Sequence, residues 1–138
     1  HGHSNEQSFL TFYNRDANRE IAANAQKDMV EVVNAALKKG GLFMPDVDFF
    51  VTHQPVYWAS NAWREGLCIP KEKFHETFQK YGNIANCSAP VNLIEAIDLK
   101  LVKAGDVVLI ASSGAGENHI ALLERINPQL ISSLDYPN

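Results

Sequence analysis

The apolar run at residues 107–111, VVLIA, is the feature that most constrains the fold of this chain. Because no residue of the run offers a polar side chain to water, it predicts a strand covered on both faces of its sheet. One cover is a long amphipathic helix, predicted over residues 14–39, whose apolar residues recur at helical spacing and which Gly40-Gly41 ends. We therefore expect a three-layered domain of helix, sheet and helix.

Predicted strands and helices alternate along the chain. A second helix opens at Pro55 and a third covers residues 88–104, with Ser88 as its cap and Gly105 as its stop. Strands, marked by β-branched and aromatic residues, are predicted at residues 8–13, 47–52, 73–80, 107–111 and 119–126. Strands joined through a helix are normally parallel, so the sequence predicts an α/β fold with a mostly parallel sheet and an antiparallel last strand.

Length, charge and cysteine content narrow the class of protein. The 138 residues suit one domain, and no apolar run approaches the roughly 18 residues of a membrane span. A net charge of −4 without a Lys/Arg cluster argues against a nucleic-acid partner. Only Cys68 and Cys87 are present, which favours a cytoplasmic setting, and no residue spacing predicts a metal site. We interpret residues 1–7 as a tag remnant and residues 8–138 as the domain.

Three loops are predicted to meet at the carboxyl edge of the sheet, where ligands bind in open α/β folds. They carry His53, Asn83 and the turn Gly114-Ala115-Gly116. Imidazole and amide N–H groups aimed at one carbonyl oxygen would stabilise negative charge developing there, and glycines let backbone amides approach a ligand. The alternative is structural: a surface histidine, a Gly-Asn turn and a glycine hairpin are all common.

The order and spacing of these elements resemble a known family. The segments FFVTHQ (49–54), KYGNIANCSAP (80–90), KAGD (103–106) and VVLIASSGAG (107–116) look like the C-terminal half of β-ketoacyl-acyl-carrier-protein synthase III and related thiolase-fold condensing enzymes. The resemblance runs from about residue 9 to residue 126. Pro55-Val56, Ile84 and Ala115 depart from the family pattern, which leaves the acyl-chain and carrier preference open.

The resemblance implies roles for individual residues. His53 and Asn83 fall on the catalytic pair that holds the carbonyl oxygen of a malonyl thioester during decarboxylation. Gly114, Ala115 and Gly116 fall on the loop that shapes the substrate pocket. The implied partners are acyl-carrier protein or acyl-coenzyme A substrates, an N-terminal thiolase half that holds the nucleophilic cysteine, and a second copy of the complete protein. Apart from these thioesters, no cofactor is implied.

Three classes of function remain open on sequence alone. The first is the C-terminal half of a condensing acyltransferase, inactive when isolated. The second is a non-catalytic thiolase-like partner or acyl-binding domain of a heterodimer. The third is a hydrolase or acyltransferase that uses Cys87, close to a predicted helix N-terminus, with His53 as its base. Against the third class, a free cysteine is more often a small buried packing residue.

Overall fold

The computed structural model describes residues 15–114 and 118–134, with side chains from residue 24 onward. The predicted tag remnant, the strand at residues 8–13, the start of the first helix at Asn14, and Ala115 and Gly116 lie outside the described residues. The helices and strands are α1 (Arg15–Gly40), β1 (Phe49–Thr52), α2 (Ala59–Gly66), α3 (Phe78–Tyr81), α4 (Ser88–Asp98), β2 (Val107–Gly114), β3 (Asn118–Arg125) and α5 (Pro128–Leu134).

The three described strands form one mixed sheet in the order β1-β2-β3. Strand β1 runs parallel to β2, with Thr52 opposite Ala111 at the carboxyl end. Strand β3 runs antiparallel to β2, and the pairing reaches Gly114 opposite Asn118. The predicted α/β fold and the antiparallel last strand are therefore confirmed.

Helices cover both faces of the sheet. On one face, Phe50 and Leu109 pack against Met29 of α1 and Trp63 of α2. On the other face, Phe49 packs in the same core cluster as Ile97 of α4. The alternation follows from the pleat of a strand, which points successive side chains to opposite faces. Both covers are thus present, as the apolar run at residues 107–111 predicts.

The predicted strand at residues 73–80 is wrong. Its chain makes a 3-10 turn over Lys71–Lys73, one isolated parallel bridge from Phe74 to Phe50, and then helix α3. The physical reason lies at Thr77, whose backbone N–H donates to the side chain of Gln54 at 3.2 Å instead of to a neighbouring strand. Asn83 consequently follows a short helix, and the described sheet has two parallel strands where the sequence predicts three.

Two helix boundaries also differ from those predicted. The third predicted helix, α4, ends at Asp98 well before Gly105, because Lys100 adopts a left-handed φ of 61°. The N–H of Leu101 then donates to the carbonyl of Ala96 at 2.9 Å, closing a Schellman turn without glycine. Ser88 is the first residue of α4 and not its cap.

The second predicted helix begins at Ala59 instead of Pro55. The intervening residues form a turn in which the N–H of Ala59 donates to the carbonyl of Val56 at 3.1 Å. Helix α5 was not predicted, although Asn127-Pro128 is a helix-start signal: the Asn127 side chain accepts from the N–H of Gln129 at 2.9 Å.

The longest described helix, α1, has 26 residues, and its described part buries Met29, Val33 and Leu37. Within the described part of the chain, no helix is both long enough and apolar enough to cross a membrane.

Trp63 joins α1 to α2, and we expect its loss to weaken the fold. Its indole is 1% exposed and its Nε1–H donates to the Ala25 carbonyl at 3.1 Å. Trp63→Ala should lower the free energy of unfolding by about 3–5 kcal/mol, because it leaves a cavity and removes the hydrogen bond from the indole to the Ala25 carbonyl. Urea unfolding followed by circular dichroism measures this value.

Trp58→Ala is the matched control, because Trp58 is 38% exposed. Its expected loss is less than half that of Trp63→Ala. Equal losses for the two variants would show that the contact between α1 and α2 contributes little to the core.

Candidate active site

His53 lies at the carboxyl end of β1, where the strand leaves the sheet. Its backbone N–H donates to the carbonyl of Ala111 at 2.8 Å, so the pairing with β2 extends to His53. The side chain is only 9% exposed. The imidazole is therefore held close to the edge of the sheet by the last hydrogen bond of the parallel pair.

The environment of His53 favours the neutral imidazole. Burial lowers its pKa below the ordinary 6.5, and a hydrogen bond with the backbone of Ala85 opposes this only in part. The ring atom Nδ1 is buried without a hydrogen-bond partner among the described residues. A neutral imidazole carries one N–H donor and one acceptor nitrogen, so a substrate oxygen that accepts the His53 N–H does so in place of the Ala85 backbone.

Asn83 lies in the loop packed against the chain that follows His53. Its Nδ2 donates to the carbonyl of Pro55 at 3.1 Å, and its Oδ1 accepts from the backbone N–H of Ala85 at 2.9 Å. Gly82 precedes it with φ 65° and ψ −148°, a conformation that favours glycine. The structure thus brings the loops of His53 and Asn83 together, through the Asn83 side chain to Pro55 and through the Gln54 side chain to Gly82.

A buried polar cluster of Gln54, Thr77 and Asn92, called here the Gln54 network, connects these loops to each other and to α4. The Gln54 Nε2 donates to the Gly82 carbonyl at 2.9 Å and to Thr77 Oγ1 at 3.2 Å. Its Oε1 accepts from the Thr77 N–H at 3.2 Å and from Asn92 Nδ2 at 3.1 Å. Asn92 also donates to the Thr52 carbonyl at 3.0 Å and accepts from Thr77 Oγ1 at 2.7 Å. The described side-chain atoms of this network therefore have partners, as buried polar groups require.

Sequence reasoning missed Thr77 and Asn92. Asn92 carried a usable signal, because it lies four residues before Ala96 on the buried side of α4 and a buried amide needs partners. Thr77 carried none, since it falls in the segment wrongly predicted as a strand. Ser60 of α2 was also missed: it accepts from Thr52 Oγ1 at 3.0 Å and is fully buried.

The third predicted element, the turn at Gly114, is only partly described. Gly114 is the last residue of β2 and lies opposite Asn118, beyond the point where β2 pairs with β1. It is thus on the same edge of the sheet as His53. Ala115 and Gly116 lie outside the described residues, so their role in substrate binding stays a prediction.

Cys87 occupies the position just before α4 and is exposed. The interpretation of Cys87 as a buried packing residue is therefore wrong. Cys87 is exposed to solvent, whereas His53 is buried. Among the described residues, no group of three or more His, Cys, Asp and Glu side chains could hold a metal ion.

Comparison with known proteins places this chain in a family. The family model described as 3-oxoacyl-[acyl-carrier-protein (ACP)] synthase III C terminal matches residues 37–126, a span that includes β1, α4, β2 and β3. The chain belongs to this family. The resemblance stated from the sequence is thereby confirmed.

Relatives and solved structures agree with the family model. The chain is 39% identical over 113 residues to a beta-ketoacyl-[acyl-carrier-protein] synthase III of Aquifex aeolicus, covering 82% of this chain and 37% of that protein. It is 37% identical over 98 residues to the Bacillus pumilus synthase III, covering 71% and 31%. A crystal structure of the Aquifex aeolicus synthase III superimposes with a TM-score of 0.77 at 35% identity, covering 89% of this chain and 39% of that one. The chain therefore spans less than two fifths of the length of these synthase III relatives.

We expect this synthase III domain to lose stability in mild acid through His53. The pKa of His53 is lower in the folded chain than the ordinary 6.5. At pH values between the folded-state pKa and 6.5, the unfolded chain therefore binds more protons than the folded chain. The contribution of His53 to stability is therefore complete above about pH 6.5 and declines as pH falls towards the folded-state pKa. His53→Asn should flatten the fall in unfolding free energy on the acid side, measured by urea unfolding from pH 8 to pH 5.

For each chain, the unfolding free energy is expressed relative to its own value at pH 8. The dependence on pH is then compared without the constant effect of the substitution on stability. Parallel curves for the parent and His53→Asn would contradict a lowered pKa for this histidine.

Proposed function

We propose that this chain is the C-terminal catalytic part of a 3-oxoacyl-acyl-carrier-protein synthase III type acyltransferase. The observation that carries the proposal is the pairing of the His53 and Asn83 loops at the carboxyl edge of β1, with His53 buried and its neutral form favoured. Membership of the synthase III family supports it. The reaction is the decarboxylative condensation of a malonyl thioester with an acyl thioester.

In the proposed reaction, His53 and Asn83 donate N–H groups to the thioester carbonyl oxygen of the malonyl substrate. The bond from C2 to the carboxylate breaks and carbon dioxide leaves. The electron pair of that bond forms an enolate, whose oxygen carries the negative charge. Two neutral donors stabilise that charge more than they stabilise the starting carbonyl, which lowers the barrier. One Asn83 N–H is used by the Pro55 carbonyl, and an amide nitrogen has a second N–H for substrate.

The second half of the reaction needs a group from outside this chain. The enolate carbon attacks an acyl thioester, a new carbon–carbon bond forms, and the thiolate that held the acyl group leaves. We propose that this thiolate is a cysteine of an N-terminal thiolase half, and that the complete protein is a cytoplasmic homodimer. Substrates arrive on acyl-carrier protein or coenzyme A without a further cofactor, and the Gly114-Ala115-Gly116 turn shapes their pocket.

One observation favours a second candidate, a non-catalytic thiolase-like partner domain. Both polar atoms of the Asn83 side chain already have partners within the chain, at Pro55 and Ala85. An asparagine that only closes a turn makes the same contacts. The two candidates differ in whether removing the Asn83 donor changes the chemistry while the turn survives.

Asn83→Asp tests these candidates, because a carboxylate keeps the acceptor for the Ala85 N–H and loses both the N–H available to substrate and the bond to Pro55. In the protein that joins this chain to a nucleophile-bearing half, Asn83→Asp and His53→Ala should each slow malonyl decarboxylation by about a hundredfold or more. The double variant should be little slower than the slower single variant, since both groups hold one oxygen. Carbon dioxide release from malonyl-acyl-carrier protein measures the rate.

Asn86→Asp is the matched control, an exposed asparagine three residues along the same segment. It should decarboxylate at close to the parent rate. Parent-like rates for both Asn83→Asp and His53→Ala would instead support the non-catalytic partner.

The 138-residue chain alone should form no ketoacyl product from acyl and malonyl thioesters, because the proposed nucleophile lies in the other half. Chromatography of thioester products with mass detection measures this. Product from the pure chain that disappears in Cys87→Ser would overturn the proposal in favour of Cys87 catalysis. Cys68→Ser, a second exposed cysteine, controls for loss of any thiol.

A further inference from the structure

Asn92 is a fully buried amide on a helix whose other inward residues are mostly apolar. It lies on α4 with Ala89 and Ala96, and its three described side-chain hydrogen bonds are all made to residues outside α4. Burying an amide is unfavourable unless its donors and acceptor are used, so its partners account for its presence in the core.

Those partners lie on either side of His53. Asn92 Nδ2 donates to the carbonyl of Thr52, the residue before His53, and to the side chain of Gln54, the residue after it. One amide nitrogen thus fixes the chain on both sides of the histidine. The bond distances, 3.0 and 3.1 Å, are ordinary for N–H donors.

The orientation of the Asn92 amide is set by Thr77. The hydroxyl Oγ1 of Thr77 donates to Asn92 Oδ1 at 2.7 Å, which turns Nδ2 towards the β1 end. Gln54 extends the same chain of bonds to the Gly82 carbonyl, directly before Asn83. Asn92 is therefore connected, through Gln54, to both loops of the candidate site.

We propose that Asn92 is a positioning residue that fixes the His53 imidazole at the sheet edge and, through Gln54, its spacing from Asn83. The proposal rests on the proposed function for its catalytic consequence only. Asn92 touches no substrate and acts through the backbone at Thr52 and the side chain of Gln54. Loss of its amide frees the β1 end, lets water reach His53 and moves the donor away from the substrate oxygen.

Asn92→Ala in the 138-residue chain tests the positioning directly. Nuclear magnetic resonance titration of the His53 ring protons should show its pKa rising towards the ordinary 6.5, because burial is the main cause of its lowering. In the complete protein the same variant should lower kcat by at least about tenfold with KM little changed, since misplacement of a donor affects the transition state.

Thr77→Val keeps the shape of the side chain and removes only the hydroxyl, so it serves if Asn92→Ala does not fold. It should shift the His53 titration in the same direction, and Thr77→Ser, which restores the hydroxyl, should return it to the parent value. Ile97→Ala is the control for simple destabilisation: Ile97 is buried on the same helix, within the apolar core. It should lower the melting temperature without moving the His53 titration.

An unchanged His53 titration in folded Asn92→Ala or Thr77→Val would overturn the proposal, and so would an equal shift in Ile97→Ala. Failure of the proposed function has a different signature. In that case the titration shifts as expected in the Asn92 and Thr77 variants, while His53→Ala leaves malonyl decarboxylation unaffected.

Discussion

The fully buried side-chain amide of Gln54 is the constraint on which the candidate site depends. Its two polar atoms make four hydrogen bonds, to Thr77 twice, to Gly82 and to Asn92. Such an amide is stable in the core only if every bond is made, and each unmade bond costs about 1–3 kcal/mol. The end of β1, the turn before α3, the loop of Asn83 and helix α4 therefore have to take one relative arrangement. The position of His53, next to Gln54 in the chain, follows from that arrangement.

Burial of His53 has an electrostatic consequence that suits the proposed chemistry. A protonated imidazole would be a stronger donor, yet it would also hold the malonyl carboxylate, whose loss drives the reaction. Burial lowers the pKa of His53 and favours the neutral ring, which donates without attracting that carboxylate strongly. The Asn83 amide is also a neutral donor. The two groups together therefore stabilise the negative charge that develops on the enolate oxygen without strongly attracting the carboxylate.

The regular part of the fold could be predicted from the sequence. For the candidate site, the sequence names His53 and Asn83 but not the contacts that position them. Helix α1 and strand β2 have long, strongly periodic or apolar patterns, and the structure has them within a few residues of the predicted bounds. Residues 73–80 mix charged and aromatic residues, so the pattern resembles a weak strand, and the long-range bond from Thr77 to Gln54 decides otherwise. Lys100 ends α4 in a left-handed conformation that no local signal marks, because glycine is the usual residue there. His53 and Asn83 were named from loop positions and resemblance, but the contacts that join their loops are long-range and are encoded by no short pattern.

The bonds that shape the candidate site cross between loops and do not belong to the sheet ladder. Asn83 donates to Pro55, Gln54 donates to Gly82, and Ser60 donates to the carbonyl of His53 at 3.4 Å. A ladder tolerates the loss of one bond because its neighbours keep the register, whereas only a few described side-chain bonds of this kind join each of these pairs of segments. Small changes in the loops therefore act on donor placement before they act on folding. Stability of the domain and precision of the site can then vary separately, since the apolar clusters on the two sheet faces maintain the fold.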